Sequence, residues 1–211
     1  MSEQESRALA EFLCSSQCHD LANTIGSISN YLELIEEHGA EAETLTQLRA
    51  SVDMATGRLK FFRLAFGAAG NAATEDGFDK ALDYARSLMP QRTTLAWREG
   101  APMPRPGAGA LKLMLNTVLL SAAAMPRGGA IEVAVDDGGR LSVIARAAPG
   151  ASASLDAAAL TALESADVPQ APTTKTAQAA YLGQVARALG AGLSVKQAPG
   201  TIRFELGLPK P

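Results

Sequence analysis

His19 stands in the run Cys18-His19-Asp20-Leu21-Ala22-Asn23-Thr24-Ile25, where an imidazole has a carboxylate beside it and a carboxamide one helical turn on. A neutral imidazole attacks phosphorus well at neutral pH, and the phosphoramidate so formed is labile enough to hand its phosphoryl group on. Asp20 is positioned to orient the ring or take its proton. Ser15 and Ser16 precede His19 by about a turn, while Asn23 and Gly26 follow one and two turns later on the same face. Small and polar, these residues leave room for another protein's active site to approach the ring. His38 is a different case, because a histidine in a last helical turn is explained by the helix dipole.

The elements that must position His19 are two long helices. Cys14, Cys18, Leu21, Ile25, Ile28, Leu32 and Ile35 alternate in steps of four and three, the heptad spacing of helices packed side by side. This predicts a helix from Arg7 to Glu37, ended by His38-Gly39. Leu45, Leu48, Val52, Ala55, Leu59, Phe62 and Phe66 repeat the spacing and predict a second helix over Glu41–Phe66. One hairpin leaves much of both stripes wet, so a homodimeric four-helix bundle is expected. His19 follows a seam position by one residue, about 100° around the helix, which puts its ring on the flank of that bundle. On the second helix Arg49, Arg58, Lys60 and Arg63 form a basic face suited to an acidic partner surface.

The small-residue run Gly67–Thr74 marks a boundary between residues 1–70 and 71–211. Beyond it, apolar periodicity predicts helices near Phe78–Leu88, Gly109–Ala124, Leu155–Leu163 and Thr176–Leu189. Strands are expected at Thr93–Trp97, Ile131–Val135, Leu141–Arg146, Leu193–Lys196 and Ile202–Leu208. Asp136-Asp137-Gly138-Gly139 and Ala198-Pro199-Gly200 are hairpin turns, and 102–107 and 166–174 are loops. The fold class is therefore α+β, a helical hairpin followed by an α/β sandwich.

Composition narrows the partners. A net charge of −3 argues against nucleic acid as the main partner, since phosphate binding draws on an excess of Lys and Arg. It has no run of eighteen apolar residues and no basic, then apolar, start, so neither a membrane span nor a secretory leader is expected and the protein reads as cytoplasmic. The two cysteines, Cys14 and Cys18, lie a turn apart, where helix geometry does not suit a disulfide, and read as reduced packing residues rather than a metal site.

Cys18-His-Asp-Leu21, the helix ending Tyr31-Leu-Glu-Leu-Ile35, and Arg58-Leu-Lys-Phe-Phe-Arg-Leu-Ala-Phe-Gly67 together resemble the ChpT-type histidine phosphotransferases, over essentially the whole chain. The resemblance implies a kinase-like dimerisation domain joined to a degenerate histidine kinase ATPase (Bergerat) domain. It implies a phosphorelay role, with phosphate accepted on His19 from the receiver domain of a hybrid kinase and passed to response regulators. Asp20 and Asn23 match the acid-x-x-Asn/Thr pattern with which such domains handle the receiver's aspartyl phosphate. Thr24 stands where a proline is usual, so a helix kink is expected to be missing.

Three nucleotide elements of the kinases fail here. Asn-Leu-Leu-x-Asn-Ala-x-Lys corresponds to Asn116-Thr-Val-Leu-Leu120-Ser-Ala-Ala123, with Leu120 for the magnesium ligand and Ala123 for the lysine. The adenine-binding aspartate is Arg146. The glycine-rich phosphate loop is Thr174-Lys-Thr-Ala-Gln-Ala179, and Gly183 and Gly190-Ala-Gly192 read as packing and helix-end glycines. No ATP and no cofactor of its own are thus expected, magnesium being supplied by the receiver. Ser15, Ser16, Gly26, Arg58, Lys60 and Arg63 are the expected partner contacts. An active ATP-dependent histidine kinase and a non-catalytic dimeric adaptor for receivers are the alternatives.

Overall fold

A computed structural model of the chain describes residues 3–68, 77–165 and 172–208. Its elements in chain order are α1 (Glu3–His38), α2 (Ala42–Ala65), α3 (Phe78–Arg86), β1 (Thr93–Trp97), α4 (Ala110–Ala123), β2 (Gly129–Val135), β3 (Arg140–Ala147), α5 (Ala157–Ser165), α6 (Thr174–Ala188), β4 (Leu193–Ala198) and β5 (Thr201–Gly207). The α+β class, both long helices and all five strands follow the sequence expectation. Most of the boundary run Gly67–Thr74 and most of the loop 166–174 lie outside the described residues.

Alternation builds the sheet. Ile131, Val133 and Val135 of β2, Leu141, Val143 and Ala145 of β3, and Ile202, Phe204 and Leu206 of β5 share one face and are almost fully buried. The strands run in the order β1-β2-β3-β5-β4, with β1 parallel to β2 and every other pairing antiparallel. In the β2–β3 hairpin, Asp136 Oδ1 accepts from the backbone N–H of Gly138 (3.0 Å) and of Arg140 (2.8 Å), the self-bonding that suits aspartate to turns. Gly39 and Gly190, at φ 87° and 65°, end α1 and α6 in the left-handed conformation that glycine alone takes freely.

The helices cover the apolar face. α4 lies on β2 and β3, α3 against β1, α6 beside α4 and α5 on α6. Gly183 makes the last contact possible, since a Cβ there would sit 2.2 Å from the Leu163 carbonyl oxygen. α6 begins two residues before the expected Thr176 because Thr173 and Thr176 form a reciprocal capping box.

The buried cluster does not stop at the second segment. Phe61, Phe62, Leu64 and Ala65 at the end of α2, and Leu9 of α1, belong to the same core as Phe78, Leu115 and Phe204. Each large apolar side chain withdrawn from water there is worth roughly 1.5–3 kcal/mol. The 36 residues of α1 span about 54 Å. Phe12, Leu13 and Leu21 of α1 pack on the core, and α2 is the main neighbour of this helix. Among the described residues, no helix is long and apolar enough to cross a membrane.

Candidate functional site

His19 is on the outer flank of α1, as its helical phase predicts, and its side chain is 74% exposed. Its Nδ1 lies 3.3 Å from Asn23 Nδ2 and 3.9 Å from Asp20 Oδ1. The first distance is a hydrogen bond whose direction depends on the ring tautomer. The second is too long for one, yet close enough for a carboxylate to steady positive charge on the ring. In the tautomer that leaves Nε2 its lone pair, the proton is on Nδ1, and a half-turn of the Asn23 amide presents oxygen to it. The geometry therefore anchors one ring nitrogen and turns the other outward.

Ser15 and Gly26 are exposed on that flank, and a Cβ added to Gly26 would meet nothing within 4 Å. Glycine in a helix interior costs about 1 kcal/mol relative to alanine, and no packing of this chain requires it at 26. Ser16 is half-buried. With Asp20 it lines a cleft of about 110 Å³ where α1 meets the end of α2 and the α/β layer, walled by Phe12, Leu13, Phe62, Phe66 and Gln178.

The expected basic face divides. Arg63 is exposed in the last turn of α2. Lys60 Nζ stands 5.2 Å from the centre of the Tyr84 ring, and Arg49 pairs with Asp53 at 3.6 Å. Arg58 departs from the expectation. Its guanidinium turns inward, donating from Nη1 to the Asp20 carbonyl oxygen and to Thr24 Oγ1, both at 2.6 Å, and from Nε to the Ser87 carbonyl oxygen at 3.2 Å. The reason lies in Thr24, which is 4% exposed and offers an acceptor facing α2. The family resemblance marks Thr24 as unusual, but nothing in the sequence signals its bond to a residue 34 positions away.

The two stripes also divide. Phe62 is buried and Phe66 packs on Tyr181, ring centres 5.2 Å apart, so the end of the second stripe serves the chain's own core. Leu21, Ile28, Ile35, Leu48 and Ala55 are half-buried. Ile25 and Leu59, at 54% and 53% exposure, stay open together with Leu32, Leu45 and Val52. Cys14 and Cys18 continue this open stripe as free, exposed thiols; within this chain they are not the packing residues expected. A hydrogen bond with the Cys14 side chain pushes the Cys18 thiol pKa above its ordinary value.

The three altered nucleotide elements have other occupations. Leu120 is fully buried in the core. Arg146 lies on the open sheet face 3.7 Å from Glu132, which also pairs with Arg98 at 2.9 Å. The first turn of α6 spends the Thr176 N–H on the Thr173 hydroxyl rather than leaving it to an anion. Asn116, the retained asparagine, is fully buried; it donates to the Ala65 and Lys112 carbonyl oxygens, both at 2.8 Å, and accepts from Gln178 Nε2 at 2.8 Å. This arrangement was not foreseen. These residues do not fit the metal and phosphate contacts of the kinases. Among the described residues, no group of three or more His, Cys, Asp or Glu side chains could hold a metal ion.

The chain thus sets a helical hairpin with an open histidine on an α/β layer. The family of histidine phosphotransferase C-terminal domains matches residues 78–201, and the chain belongs to it. It is 40% identical over 132 residues to the protein phosphotransferase ChpT of Brucella abortus (strain 2308); that stretch is 61% of this chain and 61% of the relative's length. A solved bacterial phosphotransferase structure superposes with a TM-score of 0.69 at 28% identity, over 98% of this chain and 97% of that one.

Proposed function

We propose that the protein is a homodimeric histidine phosphotransferase that takes a phosphoryl group onto His19 from the aspartyl phosphate of a hybrid kinase's receiver domain and delivers it to response regulators. The observation that carries this reading is the open imidazole on the α1 flank, with Nδ1 beside Asn23 and Asp20 and the rest of the ring facing out. Nε2 attacks phosphorus, an N–P bond forms, and the P–O bond to the receiver's carboxylate breaks, returning a free carboxylate. The ring becomes cationic as the bond forms, and Asp20 steadies that charge before the Nδ1 proton is released. The reverse sequence loads the next receiver. Magnesium would be supplied by the receiver, where carboxylates would hold it and it would offset the negative charge of the phosphoryl group.

Transfer without ATP is part of the proposal. Leu120 has no ligand atom, Arg146 is engaged with Glu132, and Asn116 is engaged inside the core. Dimerisation is supported by the open stripe of Ile25, Leu32, Leu45, Val52 and Leu59, apolar surface that a second hairpin covers. The exposed flank of His19, Ser15 and Gly26, with Lys60 and Arg63 of α2, is the surface proposed to meet receivers. The test is incubation of the purified chain with a labelled, phosphorylated receiver. Acid-labile label on the wild type and none on His19→Gln is expected, with no label from magnesium-ATP. Label from ATP, or label persisting in His19→Gln, contradicts the proposal.

A further inference from the structure

The turn that carries the phosphoacceptor is tied to the α/β layer through one side chain. Thr24 Oγ1 donates to the Asp20 carbonyl oxygen at 3.0 Å, and Arg58 Nη1 donates to that same oxygen and to the hydroxyl, each at 2.6 Å. The helix also brings the backbone N–H of residue 24 to this carbonyl. A charged donor held at such distances is roughly twice as strong as a neutral one. The turn 20–24 begins at the residue beside His19 and includes Asn23, so fixing it fixes the direction in which the two side chains flanking Nδ1 leave the backbone.

The same guanidinium reaches the other way, Nε donating to the carbonyl oxygen of Ser87, the residue capping α3. Two neighbours show that the reach is built. Gly57 precedes Arg58, and a Cβ there would come within 3.2 Å of Ser87 Cβ and Oγ, so the missing side chain lets α2 approach. Ser87 Oγ in turn donates to the Tyr84 carbonyl oxygen at 2.6 Å, holding the end of α3 in shape.

We infer that Arg58 is a positioning residue for phosphotransfer, holding the His19–Asp20–Asn23 turn in register with the end of α3 so that the α/β layer sets the aim of the phosphoacceptor. It touches none of the reacting atoms. Arg58 is half-buried and its Nε and Nη1 donate inside the chain, so the inference is that it acts on the rate of transfer and not on the capture of the receiver. The inference rests on the proposed phosphotransferase reading.

The test is single-turnover transfer from a phosphorylated receiver to the full chain, giving the rate at saturating receiver and the receiver concentration for half-saturation. The nitrogen and proton shifts of the His19 ring are recorded alongside. Arg58→Lys, which keeps the charge but loses the fork, and Thr24→Val, which keeps the shape but loses the hydroxyl, avoid emptying the site as Arg58→Ala does. Each should lower the saturating rate about ten-fold or more, as small misplacements of reacting groups do. Half-saturation should stay within about two-fold, and the His19 ring signals should move. An unchanged rate in folded variants, or weakened half-saturation at an unchanged rate, overturns the inference; the second result makes Arg58 a receiver contact. A wild type that accepts no phosphoryl group overturns the phosphotransferase reading instead, and ring signals that stay fixed in both variants then remove the positioning role independently.

Discussion

The amide nitrogen of Asn116, fully buried on α4, donates to the carbonyl oxygen of Ala65, the last residue of α2, at 2.8 Å. Gln178 of α6 completes the set by donating to Asn116 Oδ1 at 2.8 Å, and the Tyr181 hydroxyl donates to the Phe66 carbonyl oxygen at 3.4 Å. An unfinished helix end is thus satisfied by the second layer rather than by water. The hairpin is thereby docked on the α/β segment by polar bonds as well as by Phe61 and Phe62. Asn116→Ala removes the short partner of each group, leaving Gln178 Nε2 the backbone oxygen of residue 116 at 3.3 Å and the Ala65 carbonyl oxygen the Tyr181 hydroxyl at 3.5 Å, so a loss of about 1–3 kcal/mol is expected in urea unfolding. A loss below about 0.5 kcal/mol means that water replaces the bonds.

Dimerisation and folding should be separable. Ile25, Val52 and Leu59 are open in the single chain, while the ends of α1 and α2 share the core of the α/β layer. Ile25→Asp and Val52→Asp are therefore expected to give monomers by light scattering at micromolar concentration with near-native circular dichroism. Ile28→Asp strikes the half-buried hairpin seam and should unfold the free half of both helices as well. A wild type that is monomeric and fully active removes the bundle from the proposal.

Gly26 sits where a side chain has space, and the proposed role for it is clearance for a partner. Gly26→Ala should raise stability by up to about 1 kcal/mol. Gly26→Trp should fold as well yet slow phosphotransfer at least ten-fold by weakening receiver binding, a shift of about 1.4 kcal/mol in affinity measured by titration calorimetry. Equal affinities for both variants and the wild type place the receiver elsewhere.

Lys112 supplies the pH dependence. Burial on α4 lowers its pKa below the ordinary 10.5. Between those two values the unfolded chain binds more protons than the folded one, so the stability contribution of this group rises with pH across that interval. Lys112→Met should be the more stable protein at neutral pH, with its advantage shrinking as pH approaches 10.5. The Tyr181 phenol, pushed up by burial, acts with the opposite sign above pH 10 and cancels in the comparison of the two proteins. An advantage independent of pH means that the Lys112 ammonium keeps its water.

What could be read from the sequence was what repeats. Alternation fixed the strands to within two residues, and the three-four spacing found α1 and α2 and set His19 on the flank, because such patterns are local. The same spacing could not tell which layer covers a given apolar residue. Phe62 and Ile25 follow one rule of spacing, yet one is in the core and the other is open. Bonds between residues far apart in the chain left no trace either. Arg58 reads as surface charge until Thr24 and Ser87 are brought to it, and Asn116 reads as a remnant of nucleotide chemistry until Ala65 and Gln178 meet it.

The central claim is that His19 relays a phosphoryl group. The most direct measurement charges the chain from one phosphorylated receiver, removes that receiver, and adds a second, unphosphorylated receiver with magnesium while phosphorus NMR follows the label. The account predicts a phosphohistidine signal on the isolated chain, absent in His19→Gln, that disappears as aspartyl phosphate forms on the second receiver. A signal on any other residue, or a phosphohistidine that the second receiver does not discharge, contradicts it.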